Sequence, residues 1–233
     1  KGLQVGASEP SNNGAPVITT INAGRARTYG IDLDASYKPR NIEGFSLNAA
    51  VNWNRSRYTE LNNATCWTGQ TVGLGCDRNL NPVSGLYTAQ DLSGMPLIRA
   101  PEWQGNLGFD YEFPVGSGLT AVIANNNQYS SRSLVFLGKN RPNDDNFMSK
   151  FVKTDLTFAL RGPENRWEIA AIGKNITDRI TSANCSASNF QGGFIYGQTT
   201  GAVATGSGGY AEGGCYTERG RSVWLRLTYR PFQ

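Results

Sequence analysis

The chain has 233 residues, a formal net charge of +4 and only 17% charged residues, and it contains no histidine. Without histidine it lacks the usual general base and the commonest metal ligand, and with no nucleophile motif present we expect neither an enzyme nor a cofactor or metal site. Lysine and arginine are dispersed along the sequence, which argues against binding of nucleic acid. No apolar run approaches the roughly 20 residues of a membrane helix, but a membrane β-barrel needs only alternating segments of ~10 residues.

The composition predicts an all-β chain, because it is rich in glycine and aromatic residues and has no block of helical period. Residues 1–26 are rich in Gly, Ser, Asn and Pro, and we predict a long loop there, with Val17–Ile21 as its one extended run. Seven segments then alternate apolar and polar residues with the period of two that is typical of strands, although residues 119–131 alternate poorly. The predicted strands span residues 27–38, 45–58, 102–113, 119–131, 152–161, 167–173 and 222–230.

The connections between these strands alternate between short and long, which in an antiparallel meander places all short turns at one end and all long loops at the other. The apolar face carries aromatic residues near both ends and mostly aliphatic residues between them. Near the short turns lie Tyr37, Phe45, Tyr111, Phe113, Trp167 and Tyr229, and near the long loops lie Tyr29, Trp53 and Trp103. An apolar band between two aromatic girdles is typical of an outer-membrane barrel facing lipid. A soluble β-sandwich would explain the alternation, but not the girdles or the one-sided loop lengths.

Four segments resemble sequence motifs of one protein family. Residues 22–35, NAGRARTYGIDLDA, resemble the N-x-G-x-A-x-x-x-G-hydrophobic-E stretch of TonB-dependent outer-membrane receptors, with Asp32 or Asp34 in place of Glu. Residues 97–108, LIRAPEWQGNLG, resemble their P-x-x-A-P-x-x-x-x-N segment, and residues 173–179, GKNITDR, their G-x-N-L-F-D-K strand end. Residues 221–232, RSVWLRLTYRPF, resemble their closing strand, except that Gln233 follows the terminal aromatic residue.

The resemblance covers residues 22–233 and implies the C-terminal part of such a receptor's barrel. The fold class would be an antiparallel up-and-down transmembrane β-barrel segment, with seven or eight strands of a barrel of about 22. The turns would be short on the periplasmic side and the loops long on the extracellular side. Residues 1–26 would then form an extracellular loop or partial strand, and residues 27–233 the C-terminal strands of the barrel.

The family resemblance also implies a function and a location, the bacterial outer membrane. Such receptors capture a scarce nutrient, such as a siderophore or an oligosaccharide, and import it with energy from the TonB system. The implied partners are the lipid bilayer and lipopolysaccharide, a plug domain and TonB, and a small-molecule ligand. Two alternatives stay open: a self-contained small barrel that acts as an adhesin or structural protein, and a soluble β binding domain.

The long loops carry the candidate site residues. Aromatic residues there suit stacking on a ligand, although for any single one packing of one loop on another is the commoner role; they are Trp67, Tyr87, Phe190, Phe194, Tyr196 and Tyr210. Four cysteines, none in a CxxC pair, indicate disulfides rather than zinc. Of the three possible pairings we favour Cys66–Cys76 and Cys185–Cys215, because each pair lies inside one predicted loop.

Charged side chains on the polar strand faces are expected to line the barrel lumen and to pair across strands. They are Asp32, Asp34, Asp110, Glu112, Lys153, Asp155, Arg161, Glu168, Lys174, Arg226 and Arg230. The oxygen-rich run Asn143-Asp144-Asp145-Asn146 lacks the spacing and glycine of an EF-hand loop, so calcium is not the expected ligand.

Overall fold

The computed structural model describes residues 4–10, 16–22, 24–187, 197 and 213–231. Its strands are, in chain order, β1 (Gln4–Pro10), β2 (Pro16–Asn22), β3 (Arg25–Tyr37), β4 (Phe45–Glu60), β5 (Ala64–Thr65), β6 (Arg78–Leu80), β7 (Tyr87–Gln90), β8 (Trp103–Gly116), β9 (Leu119–Ser130), β10 (Ser133–Leu134), β11 (Phe147–Met148), β12 (Phe151–Arg161), β13 (Trp167–Lys174), β14 (Ser182–Ala187), β15 (Gly213–Thr217) and β16 (Ser222–Tyr229). Three short 3-10 helices span Val72–Leu74, Pro142–Asp144 and Pro163–Asn165. Among these described segments, no helix is long and apolar enough to cross a membrane.

Seven long strands form one antiparallel sheet in the order β16-β13-β12-β9-β8-β4-β3. Each of them pairs with the next long strand along the chain, so the sheet is an up-and-down meander, and all seven predicted strands are confirmed. The turns after β3, β8 and β12 are short, and the connections after β4, β9 and β13 are long. We call this seven-stranded sheet the wall.

The N-terminal region holds one strand more than the sequence pattern predicts. Strand β2 covers the expected run at Val17–Ile21, but β1 lies before it and pairs with it along its whole length. The run QVGASEP of β1 consists mainly of small and polar residues, so its alternation is too weak to predict a strand. Within the described residues, β1 and β2 pair with each other and not with an edge of the wall.

The short turns bring chain segments so close together that they require glycine. A Cβ atom at Gly162 would lie 2.1 Å from Nε1 of Trp167, and the Gly162 amide donates to the Trp167 carbonyl at 2.9 Å. Gly44 has a φ of +77°, and a Cβ there would lie 1.9 Å from the carbonyl oxygen of Glu112. The contact at Gly162 holds Trp167 beside its turn.

The two aromatic girdles lie on one face of the wall. Near the long loops, the ring of Trp53 lies 6.0 Å from that of Tyr29 and 6.4 Å from that of Trp103. Near the short turns, the ring of Tyr111 lies 6.0 Å from that of Phe45 and 4.8 Å from that of Phe113 on its own strand. Rings of both predicted girdles therefore contact one another across neighbouring strands, from β3 through β4 to β8 near the long loops and from β4 to β8 near the short turns.

The apolar residues between the girdles are not covered by protein. Leu33, Leu225 and Leu227 are 66%, 78% and 73% exposed. In water such a continuous band would be a liability, whereas lipid accepts apolar side chains and needs the backbone paired between strands, as it is here. We call this surface the outer face and the opposite surface the lumen face.

Strand β9 alternates poorly because two amides occupy outward positions. Asn125 lies opposite an outward residue of each neighbouring strand, and so does Asn127. The Asn125 side chain donates to the Asp155 carbonyl and the Asn127 side chain to the Leu107 carbonyl, both at 3.2 Å. The Thr154 hydroxyl donates to Oδ1 of Asn127 at 2.9 Å. These bonds within the wall satisfy polar groups that lipid could not.

A buried hydrophobic cluster lies outside the wall, in two long connections, residues 61–101 and 131–150, which we call the loop cluster. Leu61, Ala64 and Leu92 are buried there together with Tyr58 at the end of β4. Met95, Leu97 and Leu137 pack against them. The long loops are thus an ordered unit with its own hydrophobic centre.

Candidate ligand-facing loops and lumen wall

A disulfide and a small sheet organise the first half of the loop cluster. The sheet has the order β5-β7-β6, and the disulfide joins Cys66 to Cys76, as predicted. Both cysteines are buried. The second predicted disulfide, Cys185–Cys215, is also present and links the paired strands β14 and β15.

Two buried glutamines connect the halves of the loop cluster. Gln70 is fully buried; its Nε2 donates to Oε1 of Gln90 at 3.0 Å, and its Oε1 accepts from the Trp67 amide at 3.2 Å. Gln90 Oε1 also accepts from the amide of Lys139 at 3.1 Å, and Gln90 Nε2 donates to the Thr65 carbonyl at 2.8 Å. Because buried amides are costly unless bonded, this network specifies how the loops meet.

Arg141 also links the two halves of the loop cluster. Its guanidinium lies 5.4 Å from the ring centre of Trp67 and 4.7 Å from that of Phe136. It also forms two parallel hydrogen bonds with the Asp145 carboxylate, at 2.6 and 2.9 Å. The paired hydrogen bonds and the stacking geometry are both specific to arginine.

Trp67, a predicted ligand contact, lies inside this packing. The residue is 5% exposed and its indole Nε1 donates to the Lys139 carbonyl at 2.9 Å. The Trp67 ring thus packs against Arg141 from the other connection of the cluster.

Tyr87 is half-buried and marks where the last long loop contacts the cluster. The Tyr87 amide donates to the Gly197 carbonyl at 3.4 Å, and the Gly197 amide donates to the Gln70 carbonyl at 2.7 Å. The remaining predicted contacts lie outside the described residues; they are Phe190, Phe194, Tyr196 and Tyr210.

Side chains of the oxygen-rich run at 143–146 bind other groups of the protein. Asp144 pairs with Arg132 at 2.8 Å and Asp145 with Arg141. Asn146 is buried and its amide donates to the Gly138 carbonyl at 2.7 Å. Among the residues that the structure describes, no group of three or more His, Cys, Asp or Glu side chains could hold a metal ion.

The lumen face carries a broad polar cavity of about 600 Å³. Its polar side chains are mainly amides and carboxylates, which accept and donate hydrogen bonds; they are Asp34, Ser36, Asn48, Asn106, Asp110, Asn126, Asp155, Thr157 and Lys174. A polar surface behind an outward apolar band is the arrangement of a barrel interior.

Lumen charges near the short turns pair across four strands, as predicted. Arg161 lies 2.9 Å from a carboxylate oxygen of Glu112 and 2.9 Å from one of Glu168. Arg226 reaches Glu168 at 2.8 Å. Farther toward the long loops, Lys174 pairs with Asp155 at 2.7 Å.

Three other lumen carboxylates do not follow that pattern. In the part of the chain that the structure describes, no cation pairs with Asp32, Asp34 or Asp110. The amide of Asn52 donates to Asp32. Within the described chain, the lumen face of β3, β4 and β8 therefore carries unpaired acidic groups, whereas the charged groups of β12 and β13 are paired with each other or with neighbouring segments.

Trp224 is a lumen residue that sequence reasoning did not select as a site. It pairs with Ile172 on the lumen side and lines a cavity of about 270 Å³ together with Lys153, Asp155, Lys174 and Arg219. The available signal was that Trp224 breaks the polar alternation of its strand. An aromatic ring among charged groups is suited to stacking on a polar ligand.

Glu218 binds Lys153, one of the residues that line this cavity. Lys153 and Thr181 both donate hydrogen bonds to its carboxylate, the latter at 2.6 Å. The Lys153 ammonium and then the Thr181 hydroxyl hold the pKa of Glu218 below its ordinary value. Glu218 thus ties the loop that holds Cys215 to strand β12.

Comparison with known proteins assigns this architecture to a family. The sequence model described as "TonB dependent receptor-like, beta-barrel" matches residues 1–176. The crystal structure of the ferric yersiniabactin uptake receptor FyuA from Yersinia pestis is similar, with a TM-score of 0.54 and 15% identity. The match covers 90% of this chain and 24% of that one, so the chain spans about a quarter of the receptor it resembles. No curated protein matches the sequence.

At 15% identity the structural match supports the fold alone, whereas the family model covers most of the chain. The family consists of transporters rather than enzymes and lies in the bacterial outer membrane. The chain belongs to the TonB-dependent receptor family, as a segment of its β-barrel.

Proposed function

We propose that this chain is part of an outer-membrane receptor that imports a scarce nutrient with energy from the TonB system. The observation that carries the proposal is the family match over residues 1–176, which coincides with a wall that is apolar outside and polar inside. A siderophore or an oligosaccharide would suit the amide-rich lumen face, since both present many hydrogen-bonding groups. FyuA, with the same fold, is a ferric yersiniabactin receptor.

The other components of the transport system are proposed from the family. A plug domain would fill the lumen and contact TonB, and the acidic surface of Asp32, Asp34 and Asp110 offers it a place for cationic groups. On the extracellular side, Tyr87 is the proposed ligand contact within the described loops. Phe190, Phe194, Tyr196 and Tyr210 are proposed with it because they lie in the loop that reaches Tyr87 through Gly197.

Two observations weigh against the alternatives. A self-contained small barrel would need the N-terminal residues to pair with β16, yet β1 and β2 pair with each other in the described residues. A soluble domain would cover its apolar face, yet Leu225 and Leu227 are open on the outer face.

Uptake measurements test the proposal. Cells lacking the receptor gene are given radiolabelled iron as a panel of ferric siderophores, and labelled oligosaccharides in parallel. We expect uptake of one compound to depend on the receptor, on TonB and on the proton gradient. Loss of surface adhesion, with uptake of every compound unchanged, would instead support an adhesin.

A pair of loop variants refines the test. Tyr87→Ala in the intact receptor should weaken ligand binding about two- to tenfold, the contribution of one aromatic contact. Tyr216→Ala, an exposed loop tyrosine on β15, is the matched control. Equal binding by both variants would remove Tyr87 from the site.

A further inference from the structure

Two amides lie on the outer face of the wall, in the band between the aromatic girdles. Asn125 lies opposite Phe109 on β8, and the next outward residue of β9, Asn127, lies opposite Leu107. Strand β9 is the fourth of the seven strands in the wall, so its neighbours on both sides are present. Both amides therefore face lipid, where polar side chains are costly and are usually bonded to protein.

Bonds within the wall use most, but not all, of the hydrogen-bonding capacity of these amides. An asparagine amide has two N–H donors and an oxygen with two lone pairs. Both N–H groups of Asn127 are used, by the Leu107 carbonyl and by Oδ1 of Asn125, and its own oxygen accepts from a hydroxyl. Asn125 uses one N–H, which donates to the Asp155 carbonyl. Within the described residues, the second N–H of Asn125 has no acceptor, and its oxygen keeps one lone pair.

The unused donor and the unused lone pair make the Asn125 side chain self-complementary. Lipid chains offer no acceptor, so an N–H group that stays unbonded in the monomer costs free energy. A second copy of the chain, related by a two-fold axis that passes beside Asn125, presents the same donor and the same lone pair. The two side chains can then exchange two N–H···O bonds, which completes the bonding of both amides.

The surface around Asn125 is open to another copy. Asn125 is half-buried, and the nearby outward residues Leu107 and Phe158 are 52% and 53% exposed. Apolar contacts between two walls gain little over contacts with lipid, because acyl chains are as apolar as leucine. The hydrogen bonds of the amides therefore decide whether two copies associate at this face and in which register, while the apolar residues fill the contact around them.

We propose that two copies of this chain associate in the membrane as a two-fold dimer, through the outer face of β8, β9 and β12, with Asn125 of one copy bonded to Asn125 of the second. The hydroxyl of Thr154 donates to Oδ1 of Asn127 at 2.9 Å, and this bond holds the amide pair in one orientation. The interface lies on the lipid side of the wall. The dimer therefore depends on the membrane location and not on the proposed transport function.

The test measures self-association of the intact receptor in lipid vesicles. Two pools of receptor, one with a donor dye and one with an acceptor dye on a terminal tag, are mixed over a range of protein-to-lipid ratios, and energy transfer gives the dimer fraction. In Asn125→Leu, which keeps a similar volume without the amide, we expect the dissociation constant of the dimer to rise about tenfold, the effect of losing two hydrogen bonds between membrane segments. Asn125→Gln keeps an amide and should restore part of the association.

The matched control makes the same substitution on the opposite face. Asn126 is the next residue of β9 and lines the lumen cavity, so Asn126→Leu should leave the dissociation constant unchanged. If Asn125→Leu does not fold, Asn125→Cys decides, because two copies that meet at this residue should form an intermolecular disulfide under mild oxidation. Val152→Cys, an outward position farther along the neighbouring strand, should not cross-link.

Three results would overturn the proposal. They are an unchanged dissociation constant in folded Asn125→Leu, an equal loss of association in Asn126→Leu, and a wild-type receptor that stays monomeric at every protein-to-lipid ratio. Uptake of the transported compound is measured separately, so the dimer can fail without failure of the transport proposal.

Discussion

The wall leaves apolar side chains open on one face, whereas the loop cluster encloses both its apolar and its polar side chains. In the wall, leucines such as Leu33 and Leu227 are open to the surroundings, while in the loop cluster Gln70, Gln90 and Asn146 are almost completely buried. The difference follows from the solvent. Lipid completes the burial of the wall's outer face, whereas the loop cluster must enclose its own core in water.

The two regions are consequently stabilised by different bonds. The wall pairs its backbone groups between neighbouring strands, so few side-chain bonds are needed on its outer face. The loop cluster has only short strands, and side chains satisfy part of its backbone, as when Asn146 donates to the Gly138 carbonyl and Gln90 to that of Thr65. Substitutions should therefore act differently in the two regions.

The largest effect is expected where a charge enters the lipid side of the wall. Leu156→Arg should destabilise the receptor by about 2–4 kcal/mol, because the guanidinium meets the middle of the bilayer. Its neighbour Thr157→Arg, which points into the lumen cavity, is the matched control and should cost less. Urea unfolding of the intact receptor in lipid vesicles measures both. An equal or larger loss for Thr157→Arg would show that the two faces are reversed.

Removal of the loop-cluster disulfide should open that region and leave the wall intact. Cys66→Ala/Cys76→Ala releases a short covalent loop, and we expect the cluster to lose about 3 kcal/mol. Limited proteolysis within residues 61–101 should become faster, while the unfolding midpoint of the wall stays constant. Cys185→Ala/Cys215→Ala is the control, which should leave these cleavage sites protected. Coupled loss of both regions would refute their independence.

The buried amide network should tolerate an apolar replacement poorly. Gln70→Leu keeps the volume similar but leaves the Trp67 amide without its acceptor, which costs about 1–3 kcal/mol. Hydrogen exchange of the loop-cluster amides should accelerate accordingly. Gln104→Leu, exposed on the lumen side of β8, should change little. Unchanged exchange in Gln70→Leu would show that the network does not hold the loops together.

The smallest effect concerns pH at the junction between the wall and the last long loop. The pKa of Glu218 is lowered in the folded protein, chiefly by Lys153, so its stabilising contribution is complete above the ordinary value of 4.5. It is lost as the pH falls through the lower, folded value. Exchange of the β14–β15 amides should therefore accelerate below about pH 4.5, and only modestly because Glu218 is half exposed.

The variant Glu218→Gln provides the check on this prediction. It lacks the titrating carboxylate, so exchange in β14–β15 should be faster than in the wild type at neutral pH and should lose the acid-dependent step. The same acid-dependent step in Glu218→Gln would assign it to another group.

Much of the wall could be predicted because its signals are local. Alternation places Val152 and Lys153 on opposite faces wherever the strand lies, and the lipid outside reinforces that division. Both disulfides could be predicted because each pair falls within one connection. Strand β1 and the short strands β5 to β7 could not, since they pair without a strong apolar alternation and depend on distant packing.

The sequence by itself determined the all-β meander, the face of each long strand, the girdles and the one-sided long loops. Only the tertiary structure decided which loops meet. It places Arg141 between Trp67 and Phe136, and it gathers arginines that are dispersed in the chain, such as Arg55 and Arg132, around one cavity. The physical reason is that periodicity depends on adjacent residues, whereas packing between distant loops depends on the register and curvature of the whole wall.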